Sequence, residues 1–292
     1  MRIATPAIFC KPPMKAETAI LQDLNQWRQM AEDRLRAADS WLCVSGLFWL
    51  RVGENRFGTA AHNEVELPQS IALPDAGSFM FDGEQVILHA APGAAVLVQG
   101  QRATHQVLAS DADGAPDVVF VNGVRLTVIR RGTRMGIRMY DPQTPAFLNF
   151  AGLQWYPPDA AKRIQASFVP HAEPKPVQIE NVIGDIRTVL SPGYAQFTSD
   201  GRHHRLLAEP AATGAGLFFN FQDSTSGRTT YPGGRFLEAP APENGTVVLD
   251  FNRAVSPPCA YTHFATCPLP PSENKLAMAM EAGQQHHVAG AL

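Results

Sequence analysis

The sequence has few charged residues and lacks long apolar runs, two features that commonly indicate a protein's binding partners. Charged residues make up 17% of its 292 residues and the formal net charge is −3, so a basic surface for a nucleic-acid backbone is not expected. No apolar run approaches the ~18 residues of a membrane span, and residues 1–13 lack a signal-peptide pattern. The sequence therefore predicts a cytoplasmic protein with neither nucleic-acid nor membrane partners.

Motifs of several common enzyme classes are absent as well. The sequence has no glycine-rich phosphate loop of the Walker or dinucleotide type, no Gly-x-Ser-x-Gly and no His-Glu-x-x-His. It has four cysteines, Cys10, Cys43, Cys259 and Cys267, which are too few for a disulfide scaffold in a chain of this length. No cofactor is expected. Cys259 and Cys267 share one proline-rich region and could meet there.

What is present is one amphipathic helix followed by many short strands. Apolar residues recur at helical spacing from Lys15 to Ala38, and short apolar runs separated by turn dipeptides follow as far as Tyr140. Asn122-Gly123 between two such runs is the strongest hairpin signal. Strands resume at Arg163, and the last one is predicted at Lys275–Glu281. The pattern indicates a mainly β protein: an N-terminal helix, a β-sandwich and a second β sheet or barrel domain.

Four segments follow from this pattern. Residues 1–40 are expected to form an N-terminal arm and helix, residues 41–145 the β-sandwich domain, residues 146–283 a second β domain, and residues 284–292 a frayed tail. Several aromatic residues between 140 and 158 predict a packed junction between the two β domains rather than a free linker.

The opening of the predicted sandwich resembles a known family. The run Trp49 to Gly58, followed by Asn63-Glu64-Val65-Glu66-Leu67-Pro68, is similar to the start of forkhead-associated domains. The resemblance implies a sandwich fold. Those domains bind phosphothreonine through an arginine after the glycine, but Thr59 follows Gly58 here, so phosphopeptide binding is not expected.

The second half carries a dense set of polar residues at the ends of apolar strands. Arg235 and Arg253 offer planar donor forks that suit a carboxylate or phosphate, and Asp223 and Asp250 are their natural partners. The full set of candidate ligand-binding residues is Arg235, Arg253, Asn252, Tyr231 and Asn274. The alternative is a set of buried ion pairs that only fix loops to a sheet, and the sequence favours neither interpretation.

The cysteines offer a second chemistry. The candidate catalytic residues are Cys259 as nucleophile with Asp250 or Asp223 as orienting group or base. Cys259, His263 and Cys267 also supply three potential metal ligands, but their spacing matches no standard zinc motif and a fourth ligand is missing. The sequence therefore predicts no metal site, and the plainer alternative is a pair of small buried cysteines.

Motifs spread over most of the chain carry a more specific resemblance. They are Gly46-Leu47-Phe48-Trp49-Leu50, Trp155-Tyr156-Pro157, Phe221-x-Asp223, Asp250-Phe251-Asn252-Arg253, Pro257-Pro258-Cys259-Ala260-Tyr261 and Cys267-Pro268-Leu269-Pro270-Pro271-x-x-Asn274. Together they resemble a bacterial family known only as domain of unknown function 1684, over about Trp41 to Gly283. This family implies no chemistry and leaves the mechanism open.

Three functions remain open from the sequence. The first is an enzyme, such as a hydrolase, that acts on a small anionic or carbonyl substrate. The second is a non-catalytic binding module for a small, anionic ligand. The third is a structural network of ion pairs without a ligand. Fold class alone does not decide between them.

Overall fold

The computed structural model describes residues 14–199 and 201–286, with side chains from residue 18 onward. Two α-helices are described, α1 (Met14–Leu35) and α2 (Pro145–Leu148). The strands of the first half are Val44–Trp49 (β1), Gly53–Gly58 (β2), Val65–Glu66 (β3), Gly77–Phe81 (β4), Val86–Ala90 (β5), Val96–Val98 (β6), Gln101–Arg102 (β7), His105–Leu108 (β8), Val118–Val121 (β9), Val124–Arg131 (β10) and Arg134–Tyr140 (β11). Those of the second half are Arg163–Glu180 (β12), Ile186–Ser199 (β13), Arg202–Pro210 (β14), Leu217–Phe221 (β15), Arg235–Ala239 (β16) and Thr246–Asp250 (β17).

The first half is a two-layer β-sandwich. One sheet has the order β1-β11-β10-β9-β6-β7 and the other β3-β2-β4-β5-β8. A single buried cluster fills the space between them, with Phe57, Phe79 and Leu88 from one sheet and Leu126 and Ile137 from the other. Alternation along each strand produces this arrangement, since every second side chain points to the same face.

The Asn122-Gly123 turn forms as the sequence predicts. It joins β9 to β10, whose residues Val121 and Val124 pair across the turn. Asn122 has φ 45° and Gly123 φ 93°, the left-handed backbone that a tight hairpin turn requires and that these two residue types adopt most easily.

The second half is built on one sheet of order β16-β15-β14-β13-β12-β17. It has its own buried cluster, which includes Phe219, Phe221, Leu237, Leu249 and Phe251. The mainly β architecture predicted from the sequence is therefore present, with the helix first, a sandwich next and a second sheet last. Two separate cores are consistent with the proposed division near residue 145, which stays a prediction.

Helix α1 packs against the second half rather than the sandwich. Trp27 meets Trp155 edge to face at 5.7 Å, and Arg28 Nη2 donates to the Tyr156 carbonyl at 3.1 Å. Leu24 and Leu35 are buried, but the apolar stripe is not fully covered, because Ile20 and Met30 are exposed. A space therefore remains between the helix and the sheet.

Two predictions near the C-terminus are wrong. Lys275–Glu281 is not a strand: this segment runs as loop across the second half and makes one isolated bridge, from Lys275 to Gln222. The frayed tail predicted for residues 284–292 does not begin at Gln284, which is 1% exposed. Its side chain accepts from the Ser256 amide at 2.9 Å. Residues 287–292 of the predicted tail lie outside the described residues. Within the described part of the chain, no helix is both long and apolar enough to cross a membrane.

Candidate functional site

A cleft of about 860 Å³ lies between α1 and the sheet of the second half. We call it the α1 cleft. Its apolar lining comes from both sides: Ile20, Trp27, Met30 and Leu35 from the helix, and Phe218, Phe236, Val248 and Val255 from the sheet side. Its charged lining consists of Asp23, Arg34, Arg163, Glu238, Asp250 and Arg253. Apolar walls with a few polar groups are typical of small-molecule sites.

Strand alternation decides which predicted residues reach this cleft. In β16, Phe236 and Glu238 line the cleft, whereas their neighbour Arg235 is fully buried on the opposite face. In β17 the same alternation turns Asp250 toward the cleft and Leu249 into the core. The pleat of β16 thus turns Arg235 into the core, whereas Arg253, in the turn after β17, lines the cleft.

Arg253 is the central cation of the α1 cleft. It follows β17 in a short 3-10 turn, Phe251–Arg253, and its side chain is 27% exposed. Its Nη2 donates to a carboxylate oxygen of Asp23, which projects from α1 and is 68% exposed. Its Nε lies 3.7 Å from Asp250 Oδ2, and its guanidinium carbon lies 5.6 Å from the centroid of the Trp27 ring. Arg253 therefore holds a carboxylate at the edge of an apolar space.

Asp250 is fixed by its own turn. Its Oδ1 accepts from the Asn252 backbone amide at 3.2 Å and from Asn252 Nδ2 at 2.9 Å. Asn252 is buried and also exchanges hydrogen bonds with the backbone of Asp159. The second cation near Asp250 is Arg163, the residue opposite it in the β12–β17 ladder, with Nε at 3.8 Å. Asn252 thus orients Asp250 and has no free polar group toward the cleft.

Asp223 and Arg235 form a separate ion pair inside the core. Both side chains are 0% exposed, and Arg235 Nη2 lies 2.8 Å from Asp223 Oδ2. Arg235 also donates to the carbonyls of Met280 and Ala282, while Asp223 accepts from both the hydroxyl and the amide of Thr225. No ligand can reach these groups, so the geometry makes them structural rather than catalytic or ligand-binding.

Asn274 has a structural position as well. It is 1% exposed, and its Oδ1 accepts from the Leu207 amide at 2.6 Å. Its Nδ2 donates to the carbonyls of Leu207 and Asn220 at 3.0 and 2.9 Å. These bonds join β14 to β15 where the ladder of the two strands has ended, since their pairing covers only two residue pairs.

The described contacts of Cys259 are with Cys267 and Tyr231 and include neither Asp223 nor Asp250. The Cys259 amide donates to Cys267 Sγ at 3.2 Å, and the Tyr231 hydroxyl donates to the Cys259 carbonyl at 2.9 Å. Both cysteines are free thiols; Cys259 is half-buried and Cys267 is buried. Within the described residues, the hydrogen-bond neighbours of the Cys259 thiol are Cys267 and Tyr231, neither of which is a carboxylate or a histidine.

The two thiols influence each other's protonation. A hydrogen bond from the Cys267 thiol lowers the pKa of Cys259 to about 7, with a smaller contribution from Tyr231. The same hydrogen bond, together with burial, raises the pKa of Cys267. Burial and the contact with Cys259 raise the pKa of Tyr231. The pair therefore favours a state in which Cys259 is the thiolate and Cys267 keeps its proton.

No cluster of three or more metal-binding side chains occurs among residues 14–199 and 201–286. His263, the middle member of the Cys259, His263 and Cys267 series, is exposed, whereas Cys267 is buried.

Sequence reasoning missed most of the residues that line the α1 cleft. Arg34 and Trp27 belong to helix α1, and no sequence pattern predicts where this helix packs. Phe236 has the pattern of an ordinary strand residue, so the sequence does not predict that it lines a cleft. The proximity of Arg163 to Asp250 is predictable in part from the sequence. An arginine at the start of one strand and an aspartate at the end of another can pair in an antiparallel ladder.

Comparisons with known proteins agree with the resemblance noted in the sequence. Residues 148–285 match the family described as "Protein of unknown function (DUF1684)", a range that begins well after Trp41. A solution NMR structure of an uncharacterised protein from Haloarcula marismortui is 32% identical, has a TM-score of 0.42, and the match covers 51% of this chain and 84% of that chain. None of the curated proteins matches the chain.

Two forkhead-associated structures are also similar, over a shorter range. One is the FhaA domain complexed with the intracellular domain of Rv3910, and the match covers 32% of this chain and 96% of that chain. The other comes from work on phosphothreonine-dependent interactions, and the match covers 32% of this chain and 92% of that chain. Each is 18% identical with a TM-score of 0.23, which supports no statement about binding. Through residues 148–285, the chain belongs to the family of proteins of unknown function DUF1684.

Proposed function

We propose that the chain binds a small organic anion, a carboxylate with an apolar or aromatic body, in the α1 cleft. The observation that carries this proposal is the position of Arg253. Its guanidinium lies at the edge of an apolar space of about 860 Å³ and donates to the carboxylate of Asp23. A ligand carboxylate would take the place of Asp23 on this fork, with its apolar body on the floor of the cleft.

The exchange is energetically reasonable because Asp23 is exposed. Its side chain is 68% accessible, so it can release Arg253 and return to water without burying a charge. An ion pair this exposed contributes only about 0–1 kcal/mol. A ligand that brings the same carboxylate together with apolar surface gains, in addition, about 25 cal/mol for each Å² of apolar area removed from water.

The floor of the cleft supports an apolar or aromatic ligand body. Phe218 and Phe236 meet edge to face, with ring centroids 4.9 Å apart, and both line the cleft. Trp27 forms the opposite wall, beside Arg253. Aromatic rings held rigidly on a sheet and a helix give a ligand contact area with little loss of side-chain freedom.

A balanced set of charges restricts the ligand to a single anionic group. Three arginines and three carboxylates line the cleft, so it has no strongly positive field for a polyanion. Asp250 lies at 3.7 and 3.8 Å from the Nε atoms of Arg253 and Arg163, distances beyond a hydrogen bond. Their donor groups are therefore not saturated by Asp250.

A hydrolase that uses Cys259 as its nucleophile has weaker support. Its thiol has a lowered pKa, which favours nucleophilic character. However, Asp250 is engaged by Arg253 and Asn252, and Asp223 is occupied in the core by Arg235. Binding without catalysis is the function that the cleft supports best.

The test is a thermal-shift screen of the full chain with benzoate, phenylacetate and octanoate, each beside its neutral methyl ester. A rise in melting temperature with the acids and not with the esters supports the proposal. Arg253→Gln should abolish the rise, while Arg51→Gln, an arginine that is 73% exposed in the sandwich, should leave it unchanged. Equal responses to acids and esters, or an unchanged response in Arg253→Gln, would reject the arginine-based site.

A further inference from the structure

Cys259 and Cys267 lie next to each other and do not line the α1 cleft. The two residues are eight positions apart, and the Cys259 amide lies 3.2 Å from Cys267 Sγ. Each thiol also shifts the pKa of the other, and both remain free. Cys259 begins the loop and Cys267 closes it, with no regular helix or strand between them apart from the 3-10 turn Pro258–Ala260.

The two cysteines differ in access to solvent. Cys259 is half-buried, whereas Cys267 is 5% exposed. Cys259 is therefore the more accessible of the two residues to a small reagent. This asymmetry separates the roles of the two residues: one can meet an external reagent, and the other can react only with its neighbour.

A buried arginine from the first half supplies the second observation. Arg138 is 5% exposed, and its Nε and Nη2 have no hydrogen-bond partner among the described residues. Its guanidinium lies over the Trp41 ring, 4.8 Å from the centroid. It is also close enough to Cys267 to favour the thiolate there. Burial lowers the pKa of Arg138 even though Tyr140 and, more weakly, Asp111 favour its charged form. A buried cation is costly to a fold, and negative charge on the thiol pair would reduce that cost.

We propose that Cys259 and Cys267 form a redox-active thiol pair, in which Cys259 reacts first with a hydroperoxide and Cys267 then closes an intrachain disulfide. In the first step the Cys259 thiolate attacks the terminal oxygen of the hydroperoxide. The O–O bond breaks, Cys259 becomes a sulfenic acid, and the alkoxide leaves and takes a proton from water. In the second step the Cys267 sulfur attacks that of Cys259, and its proton leaves with the displaced hydroxide as water.

The two steps balance. The two sulfur atoms together lose two electrons, and the oxygen–oxygen bond of the hydroperoxide gains them. Two thiols and one hydroperoxide give one disulfide, one alcohol and one water. An external dithiol returns the pair to the reduced state by thiol–disulfide exchange.

The loop between the cysteines connects this reaction to the contact between the two halves. Thr262 Oγ1 donates to the Val44 carbonyl of β1 at 3.0 Å, and Thr266 Oγ1 accepts from Arg131 Nε of β10 at 2.8 Å. Both threonines lie between Cys259 and Cys267. A disulfide at the base of this loop would act on the segment that contacts the sandwich.

The test uses the full chain, reduced and then treated with an equimolar amount of hydrogen peroxide. Differential alkylation and peptide mapping should find Cys259 joined to Cys267, with Cys43 still free. In Cys267→Ser the reaction should stop at the sulfenic acid of Cys259, which dimedone traps. The matched control is Cys43→Ser, which should have no effect on the pair. Cys43 is buried just before β1, and its sulfur approaches Ser40.

Other outcomes would overturn the proposal. They are a wild type in which Cys259 and Cys267 both remain alkylatable after peroxide, one in which Cys259 is oxidised without forming a disulfide, and one in which it pairs with another cysteine. Should Cys267→Ser fail to fold, the wild-type peptide map alone decides. The result is independent of carboxylate binding, since Cys259 and Cys267 do not line the α1 cleft.

Discussion

Arg235 and Asp223 face each other inside the core of the second half, 2.8 Å apart between Nη2 and Oδ2, with neither side chain exposed. The sequence offers these two residues as ligand-binding and catalytic groups, and their types suit that role. The structure instead gives Asp223 further contacts with Thr225 and the Met280 amide. The pair fixes the C-terminal loop segment to the sheet.

This buried pair leads to a first prediction. Asp223→Asn should destabilise the chain by about 3–5 kcal/mol, because it leaves the Arg235 charge buried without a counter-ion. Urea unfolding followed by circular dichroism measures the change. The matched control is Asp75→Asn, an aspartate that is 60% exposed and contacts His62, where a change below about 1 kcal/mol is expected. Similar small losses in both variants would show that the buried pair is not required for stability.

A second prediction concerns the turn that introduces Arg235. Gly234 has φ 94°, and an added Cβ would lie 2.5 Å from the Phe221 carbonyl oxygen, so Gly234→Ala must shift the backbone. We expect a loss of at least about 1–3 kcal/mol. Gly245→Ala is the control, since Gly245 also has a positive φ, 75°, but nothing lies within 4 Å of the added Cβ. If both variants lose the same stability, backbone conformation and not the close contact explains the effect.

Much of the fold was predictable from local pattern, whereas the site was not. The strand at Val118–Val121 and the Asn122-Gly123 turn follow from alternation and from residues that adopt positive φ. The segment from Lys275 to Glu281 has the alternating apolar residues of a strand, but they pack as a loop over the core. Arg235 and Arg253 look alike in sequence, and only the pleat of β16 and the turn after β17 separate them.

A third prediction concerns the reactivity of Cys259. Since its pKa is lowered from 9.0 to about 7, its alkylation rate should rise as the pH increases through about 7 and level off above that value. An ordinary thiol would continue to react faster up to about pH 9. Peptide-resolved iodoacetamide kinetics measure this profile, with Cys43 as the internal comparison, because burial raises the pKa of that thiol.

A fourth prediction concerns the effect of the Arg138 charge on the Cys259–Cys267 pair. In Arg138→Met the cation that favours a Cys267 thiolate is lost, so the attack of Cys267 on peroxide-oxidised Cys259 should slow. Stability should change little or increase, because Arg138 has unpartnered buried nitrogens among the described residues and methionine removes that cost. An unchanged rate of disulfide formation in the folded variant would show that Arg138 does not act on the thiol pair.

The most direct test of the α1 cleft is a comparison of benzoate affinity between the wild type, Arg253→Gln and Asp23→Asn by isothermal titration calorimetry. Asp23 is the carboxylate that Arg253 holds in the free protein. Loss of Arg253 should therefore weaken binding about 10- to 100-fold, as expected for a charge-assisted hydrogen bond. Loss of Asp23 should strengthen binding by up to about fivefold, because a competitor is removed. Weaker binding in both variants, or no change in either, would contradict the account. Either result would show that Asp23 does not compete with the ligand carboxylate for Arg253.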